Sequence, residues 1–408
     1  MNAPVTDLSF RLSVPPDIAS PEWQRLFDHI ALGAAERERE RLLPFEAVDL
    51  LKRARFGALR LRKEEGGAGA TLRELYAIAI RLAAADANVA HIFRNHFTVA
   101  EQYARTPYDA QSRLWQQQVS EGAIFGLAST ETGPNPAGGT QPDTLLTPEG
   151  DGFRLNGVKY YSTGTLYADL VLVRAADPDK RFVSIIIPVK RDGIEILDDW
   201  DGAGQRLTAS GTTRYHNVRV EAAEAVFDLP GRGYGLSYSN TQAQLFLTAV
   251  VAGIARAILE DAIALLKRRQ RSFYYAHFPV PADDLLLQQT IGQLSANAFA
   301  AEAAVLAAAD ALDRTGAARD AGEPDGTLAA DAALAAANAK IVVDDLALRS
   351  GSLLFEVGGA SATERRFNLD RHWRNARTIA SHNPASFKAQ AIGALLVKGE
   401  PLPARGFF

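Results

Sequence analysis

The chain has 408 residues, 47% hydrophobic and 23% charged, with a formal net charge of -4. That length supports two or three packed layers or domains, and the charge balance gives no broad basic field for nucleic acid. There is no cysteine, which excludes disulfides, thiolate nucleophiles and thiolate metal sites.

The first stretch, "MNAPVTDLSFRLSVPPDIASPEW", holds no basic segment followed by an apolar core, so no secretory leader is expected. No apolar run is expected to approach the roughly 20 residues that cross a bilayer. A cytoplasmic location without membrane or nucleic-acid partners is the simplest expectation. No metal site is expected: His91 and His96 are five apart, which does not put them on one helical face, and no HExxH occurs.

Residues from Pro21 to Gln118 read as helical, with Leu26, Ile30, Val48 and Leu51 at helical spacing. Gly66, Gly67 and Gly69 predict a turn, and Thr71 with Glu74 predicts a capping box on the next helix. This glycine cluster lacks the GxGxxG and GxxxxGK patterns of phosphate loops. Near Ala123 the pattern changes to strands, with Asn156-Gly157 expected to turn a hairpin between "FRL" and "VKYY". Further strands are expected at Arg181–Lys190, "GIEIL" and Thr212–Val220. From Ser237 the chain returns to helix, with Val250, Ile254, Ile258 and Leu265 on one face and a basic end at Lys267, Arg268, Arg269 and Arg271. Two alanine-rich helices follow, separated by a polar loop expected at Gly316–Gly326. Near the C-terminus, Ser381, His382 and Asn383 precede Pro384. They read as a buried cluster at a helix C-cap and turn.

Runs of like elements argue for segregated layers rather than an alternating parallel sheet. The expected fold is α+β: an N-terminal helical domain (1–122), a central β-barrel-like domain (123–232) and a C-terminal four-helix bundle (233–408).

Five segments in order carry a resemblance: "FGLASTETG" (Phe125–Gly133), "FRLNGVKYYSTG", "GQRLTASGTTRYHNVRV", "RRQRSF" (Arg268–Phe273) and "FEVGGASATERR". Together they resemble the acyl-CoA dehydrogenase superfamily, over nearly the whole chain. Dehydrogenases of that family need a carboxylate to take the α-proton of a thioester. Here the corresponding stretch reads "RTIASHNPAS", with no Asp or Glu from Arg371 to Gly399 and none from Gln242 to Arg256. The segments "KYYSTGTLYAD", "NLDRHWRNART", "SHNPASFK" and "LLVKGEPLPARGFF" resemble the flavin-dependent monooxygenases built on the same scaffold. Dibenzothiophene monooxygenases and the sulfur-acquisition oxidoreductases linked to dimethyl sulfone are examples.

That resemblance implies a two-component monooxygenase. Reduced FMN comes from a separate flavin reductase and reacts with O2 to give a C4a-peroxyflavin, which oxygenates a small organosulfur compound. FAD in place of FMN, N-hydroxylation of an amine, and acyl-CoA oxidation with FAD remain open. Such chemistry needs hydrogen-bond donors near the flavin and exclusion of water. The residues implied for catalysis are His91, Ser162 and His382, and those for flavin contact are Ser129, Thr130, Tyr161, Ser162 and Thr163. Arg271 matches an arginine that holds the flavin phosphate of a neighbouring subunit, which implies a homotetramer. Each has a bland alternative: His91 a core histidine, Ser162 a strand-end serine, His382 a cap, Arg271 a solvated helix end. Asn95, Trp200 and Asn383 are further candidates to line the pocket.

Overall fold

The protein is described by a computed structural model covering residues 12–133, 141–229 and 233–408. Residues 1–11, read above for a leader, residues 134–140 beyond the "STETG" segment, and the expected domain boundary at 232 lie outside the described residues.

Among the described residues six α-helices come first: α1 (Pro21–Leu32), α2 (Ala34–Glu40), α3 (Phe45–Arg53), α4 (Leu72–Ala85), α5 (Ala87–Tyr103) and α6 (Ala110–Ser120). Local chemistry sets their starts. The Ser20 hydroxyl accepts from the Glu22 N–H at α1, and Thr71 and Glu74 form the expected capping box at α4. Asp86 caps α5 by accepting from the N–H groups of Asn88 and Val89, while Arg37 of α2 pairs with it at 2.8 Å. Trp23, Phe56 and Phe93 interlock edge to face, with centroids 5.5 and 5.1 Å apart, and fix α1 and α5 around one core.

Eight strands follow among the described residues: β1 (Phe125–Ala128), β2 (Leu145–Glu149), β3 (Gly152–Lys159), β4 (Leu170–Ala176), β5 (Phe182–Pro188), β6 (Ile194–Ile196), β7 (Thr213–Glu221) and β8 (Ala225–Phe227). They form one mixed sheet in the order β6-β7-β3-β2-β4-β5-β8, with β1 parallel to β4. Alternation along the central strands assigns two faces. Leu170, Leu172 and Ile186 pack with Val99, Tyr103 and Trp115 of the helices. Val171, Val173, Val183 and Ile185 pack with Tyr215 and Val218 on the other face.

Asn156-Gly157 is not the hairpin turn. The β2–β3 turn is Gly150-Asp151, flanked by the pair Glu149↔Gly152. Asn156 and Gly157 lie within β3, where the register with β7 slips between Leu155 and Gly157. Bulges and tight turns draw on the same residue types, so the dipeptide alone could not separate them. Glycine is required here by space: a Cβ at Gly157 would meet Thr144 Oγ1 at 2.4 Å.

Five helices complete the chain: α7 (Thr241–Arg268), α8 (Leu285–Asp320), α9 (Gly326–Gly358), α10 (Arg371–Ala380) and α11 (Ala385–Lys398). Gly253 lets α7 lie against α4, since a Cβ there would sit 2.5 Å from the Ile80 carbonyl oxygen. The loop expected at Gly316–Gly326 is shorter than the sequence suggests, because α8 runs on to Asp320 through an alanine-rich stretch that favours helix. Helices α8 and α9 also carry windows of mean hydropathy 1.2 and 1.3, long and apolar enough for a span by length and composition. The expectation that no run approaches that length is thereby corrected. Both helices pack with α7, and 33% and 44% of those windows are buried.

Candidate active site

Helix α5 presents His91, Arg94 and Asn95 at i, i+3 and i+4, on one helical face. His91 is 8% exposed, and its Nδ1 meets Gln205 Oε1 at 2.9 Å. Because Gln205 offers its carbonyl oxygen, Nδ1 carries the proton and Nε2 keeps its lone pair. Burial, then the Arg94 cation, lowers the His91 pKa to about 4, so the ring is neutral near pH 7. Asn95 donates through Nδ2 to the Thr163 carbonyl at 2.8 Å and so fastens α5 to the end of β3.

Beyond β3 the backbone turns sharply. Tyr161 has φ +55° and is 56% exposed, with its ring edge against Trp200 at 6.1 Å. Ser162 is buried; its N–H donates to Gly211 O, and its hydroxyl has no protein partner. The Thr163, Ser210 and Thr208 hydroxyls stand 2.7 Å apart in series, and Thr208 donates to Gln205 O. The final acceptor fixes the direction of that chain: Thr163 donates to Ser210, and Ser210 to Thr208. Asn375 of α10 accepts from the Gln205 N–H at 2.6 Å. Gln205 therefore connects α10, α5 and the β3 exit.

Ser129 and Thr130 follow β1 with exposed side chains. The Tyr160 N–H donates to Thr130 O, and the fully buried Lys159 donates to Ser129 O and to Glu131 Oε1, the latter at 2.6 Å. The flavin set Ser129, Thr130, Tyr161, Ser162 and Thr163 thus lies together.

His382 follows α10, whose C-cap is Ser381. The cap reading holds for Ser381 and leaves His382 free. The expectation of a buried cluster is corrected: Ser381 and His382 are exposed, and Asn383 is buried. Pro384 is the N-cap residue of α11. Asn383 Nδ2 donates to Gln244 Oε1 at 2.8 Å and to His382 Nδ1 at 3.3 Å. That leaves the His382 proton on Nε2. The ring keeps an exposed surface although Asn383 and Phe407 pack against it. Loss of bulk water, then the Arg94, His91, Lys340 and Lys388 charges, push its pKa well below the usual value.

The structure brings His91, Ser162, Thr163 and His382 into one neighbourhood around α5. Arg271 lies apart, exposed in the loop after α7, with its carbonyl accepting from Arg269 Nε. Trp200 joins through Nε1 to Gln205 O, and Asn383 through its bond to His382. Sequence reasoning missed Arg94, Gln205 and Gln244. The i, i+3 spacing of His91 and Arg94 was the available signal for the first; the other two arrive through long-range contacts. A separate groove of about 460 Å³ on the sheet surface is lined by Arg154, Arg191, His216 and Arg219. Its arginines are paired with Glu149, Glu224, Asp151 and Glu221.

Three polar atoms of this neighbourhood are buried without partners: Ser162 Oγ, Gln205 Nε2 and Asn383 Oδ1. Such atoms cost stability unless a ligand or water meets them. A donor hydroxyl, a donor amide and an acceptor carbonyl suit a flat heteroaromatic with alternating acceptors and donors, and a flavin ring fits them.

His96, on the opposite side of α5, is wholly packed. Its Nε2 donates to Gly57 O at 2.8 Å and its Nδ1 accepts from the Phe125 N–H at 3.1 Å. Burial lowers its pKa to about 4. For both His91 and His96 the folded value lies below the unfolded value of about 6.5. The unfolded chain therefore binds more protons between pH 6.5 and 4. Their stabilising contribution is complete above about 6.5 and is lost as pH falls to about 4. Each is worth roughly 3 kcal/mol over that range. Urea unfolding at pH 7 and pH 5 should show the loss, and His96→Gln should flatten the pH slope; an unchanged slope would contradict it.

Residues 245–387 match the family model for the acyl-CoA dehydrogenase C-terminal domain. The chain is 29% identical over 387 residues to dibenzothiophene monooxygenase of Rhodococcus erythropolis, covering 91% of this chain and 89% of that one. It is 27% identical over 417 residues to the probable FMNH2-dependent monooxygenase SfnC of Pseudomonas putida, covering 100% of both. Among solved structures, TdsC from a Paenibacillus species, crystallised with FMN and indole, superposes with a TM-score of 0.84 at 27% identity. That match covers 95% of this chain and 100% of that one.

Proposed function

The chain belongs to the acyl-CoA dehydrogenase superfamily, and we propose that it is a two-component monooxygenase using reduced FMN and O2 to oxygenate a small organosulfur compound. The observation that carries this reading is a site that holds His91 on Gln205 and His382 on Asn383, with no Asp or Glu from Arg371 to Gly399 or from Gln242 to Arg256. Thioester dehydrogenation needs a carboxylate there.

Bound reduced FMN would supply the two electrons that divide O2 between product and water. Ser129, Thr130, Tyr161, Ser162 and Thr163 would hold the ring, with the free Ser162 hydroxyl as a donor. The His382 Nε2–H is a neutral donor held by Asn383, and His91 Nε2 is a neutral acceptor held by Gln205. One gives a proton and the other can receive one, and neither needs to change charge near pH 7. The hydroxyl chain through Ser210 and Thr208 fixes the Thr163 backbone against α5.

Reduced flavin must be delivered, so a separate reductase is the expected partner. The probable FMNH2 dependence of the Pseudomonas putida relative supports that supply. A homotetramer is proposed from Arg271 and its surroundings: the rings of Phe273, Tyr274 and Tyr275 meet tilted or edge to face at 4.6 to 4.9 Å while 57%, 89% and 67% exposed. Exposed apolar patches of that kind mark association surfaces. Arg271→Ala should weaken reduced-FMN affinity about ten-fold if its bidentate fork holds the phosphate across subunits. Fluorescence titration with sedimentation of the same samples checks this, and unchanged affinity would remove Arg271 from the site.

The monooxygenase reading is tested anaerobically. Added acyl-CoA should leave the flavin of the holoprotein oxidised, and bleaching without reductase would make the protein a dehydrogenase instead.

A further inference from the structure

Arg94 is a guanidinium without a counter-ion, facing the site. Its Nε donates to Ala243 O at 3.1 Å and its Nη1 to Asn95 Oδ1 at 3.2 Å, both neutral acceptors. Among the described residues its other three N–H groups meet no acceptor. Arg94 is half-buried, and the more deeply buried Arg60 and Arg174 are paired, with Glu101 and Asp228, each at 2.7 Å. An enclosed cation lacking such a partner destabilises a fold and is retained where something anionic arrives. Burial lowers the Arg94 pKa to about 10, and the opposing neighbour is a phenol, Tyr234, not a carboxylate.

Its position is set by contacts already described. Ala243, which accepts from Arg94, precedes Gln244, which holds Asn383 and through it His382. Arg94 and His382 are therefore tied to consecutive residues of α7, close enough for the Arg94 charge to act on the His382 ring. Lys388 adds a second cation on the α11 side. Its Nζ donates to Phe407 O at 2.6 Å and lies 3.9 Å from the Phe408 ring, and no carboxylate pairs with it among the described residues. Lys340 nearby is neutralised by Asp344 at 2.6 Å.

We propose that Arg94 binds an anionic oxygen group of the substrate, so that the natural substrate is a small sulfur oxoanion rather than a neutral sulfide or thiophene. A guanidinium fork matches such a group with two parallel N–H donors. A sulfinate carries both the charge that Arg94 lacks and a sulfur lone pair that can take an oxygen atom. The step is balanced as RSO2⁻ + O2 + FMNH2 giving RSO3⁻ + FMN + H2O, with sulfur oxidised and the two flavin electrons leaving in water. A sulfonate has no such lone pair and serves as an unreactive probe of the same charge. This inference rests on the monooxygenase reading for its chemistry but not for its binding.

The experiment is calorimetric titration of the full-length protein with oxidised FMN bound, using methanesulfonate and its neutral counterpart dimethyl sulfone. Wild type should bind the sulfonate at least about ten-fold more tightly. Arg94→Met should abolish that preference while leaving FMN affinity within about two-fold, and Arg94→Lys should keep part of it. Arg94→Met should not lower stability, because removing an uncompensated enclosed charge is neutral or stabilising; a merely structural arginine would do the reverse. Equal binding of the two probes by wild type, no sulfonate binding, or retained preference in Arg94→Met would overturn the proposal. Loss of FMN affinity in that variant would assign the guanidinium to the cofactor and overturn it as well. Failure here alongside oxygen insertion into a neutral sulfide would leave the monooxygenase reading standing.

Discussion

His382→Ala should retain reduced-FMN affinity within about two-fold and still consume O2, while oxygen transfer to substrate falls roughly 100-fold and hydrogen peroxide accumulates. His382 caps no helix, since Ser381 does that. Its ring makes an edge contact with Phe407 at 5.4 Å and accepts from Asn383, so truncation removes little packing. What it does remove is a neutral N–H donor facing the site. His382→Gln restores a donor amide and should recover part of the coupling. Because the ring is already neutral, coupling in wild type should not change between pH 6 and 8; a step near 6.5 would mean that the imidazole titrates normally. Equal product per O2 in wild type and His382→Ala would reduce the residue to a turn position.

Glu131→Ala should destabilise the protein by roughly 3–5 kcal/mol, and Lys159→Met by distinctly less. The two partners are unequal. Lys159 is fully buried at the end of β3, with Glu131 and Ser129 O as its acceptors. Removing Glu131 strands an ammonium whose pKa burial has already lowered to about 8. Removing Lys159 leaves the Glu131 carboxylate three donors: the Thr144 hydroxyl and the N–H groups of Thr144 and Asp143. Both changes loosen Ser129 and Thr130, so both should weaken FMN binding. Guanidinium unfolding of the two variants checks the order, and a larger loss in Lys159→Met would show that the pair is not what holds this loop.

The layer order, the capping box at Thr71 and the gathering of the Ser129–Thr130 and Tyr161–Thr163 segments were legible because each rests on local pattern or on a quoted motif. Asn156-Gly157 was misread because a bulge and a turn ask for the same residues, and only strand register separates them. The long α8 outran its expected end because alanine carries helix through positions that look like loop. Arg94 escaped notice for a different reason. An arginine on a helix is ordinarily a solvated side chain, and only the absence of a carboxylate around it marks it out. Gln205 and Gln244 act through partners more than 100 residues away, a distance over which one sequence gives no signal.

The most direct measurement supplies the full-length protein with a flavin reductase, NADH, FMN and isotopically heavy O2, over a panel of sulfur compounds that includes sulfinates, sulfides and sulfones. Mass spectrometry should find one heavy oxygen atom on the sulfur product and the other in water. Products carrying no heavy oxygen across the panel, with reduced flavin returned to its oxidised form only as hydrogen peroxide is released, would contradict the assignment of this site to oxygen transfer.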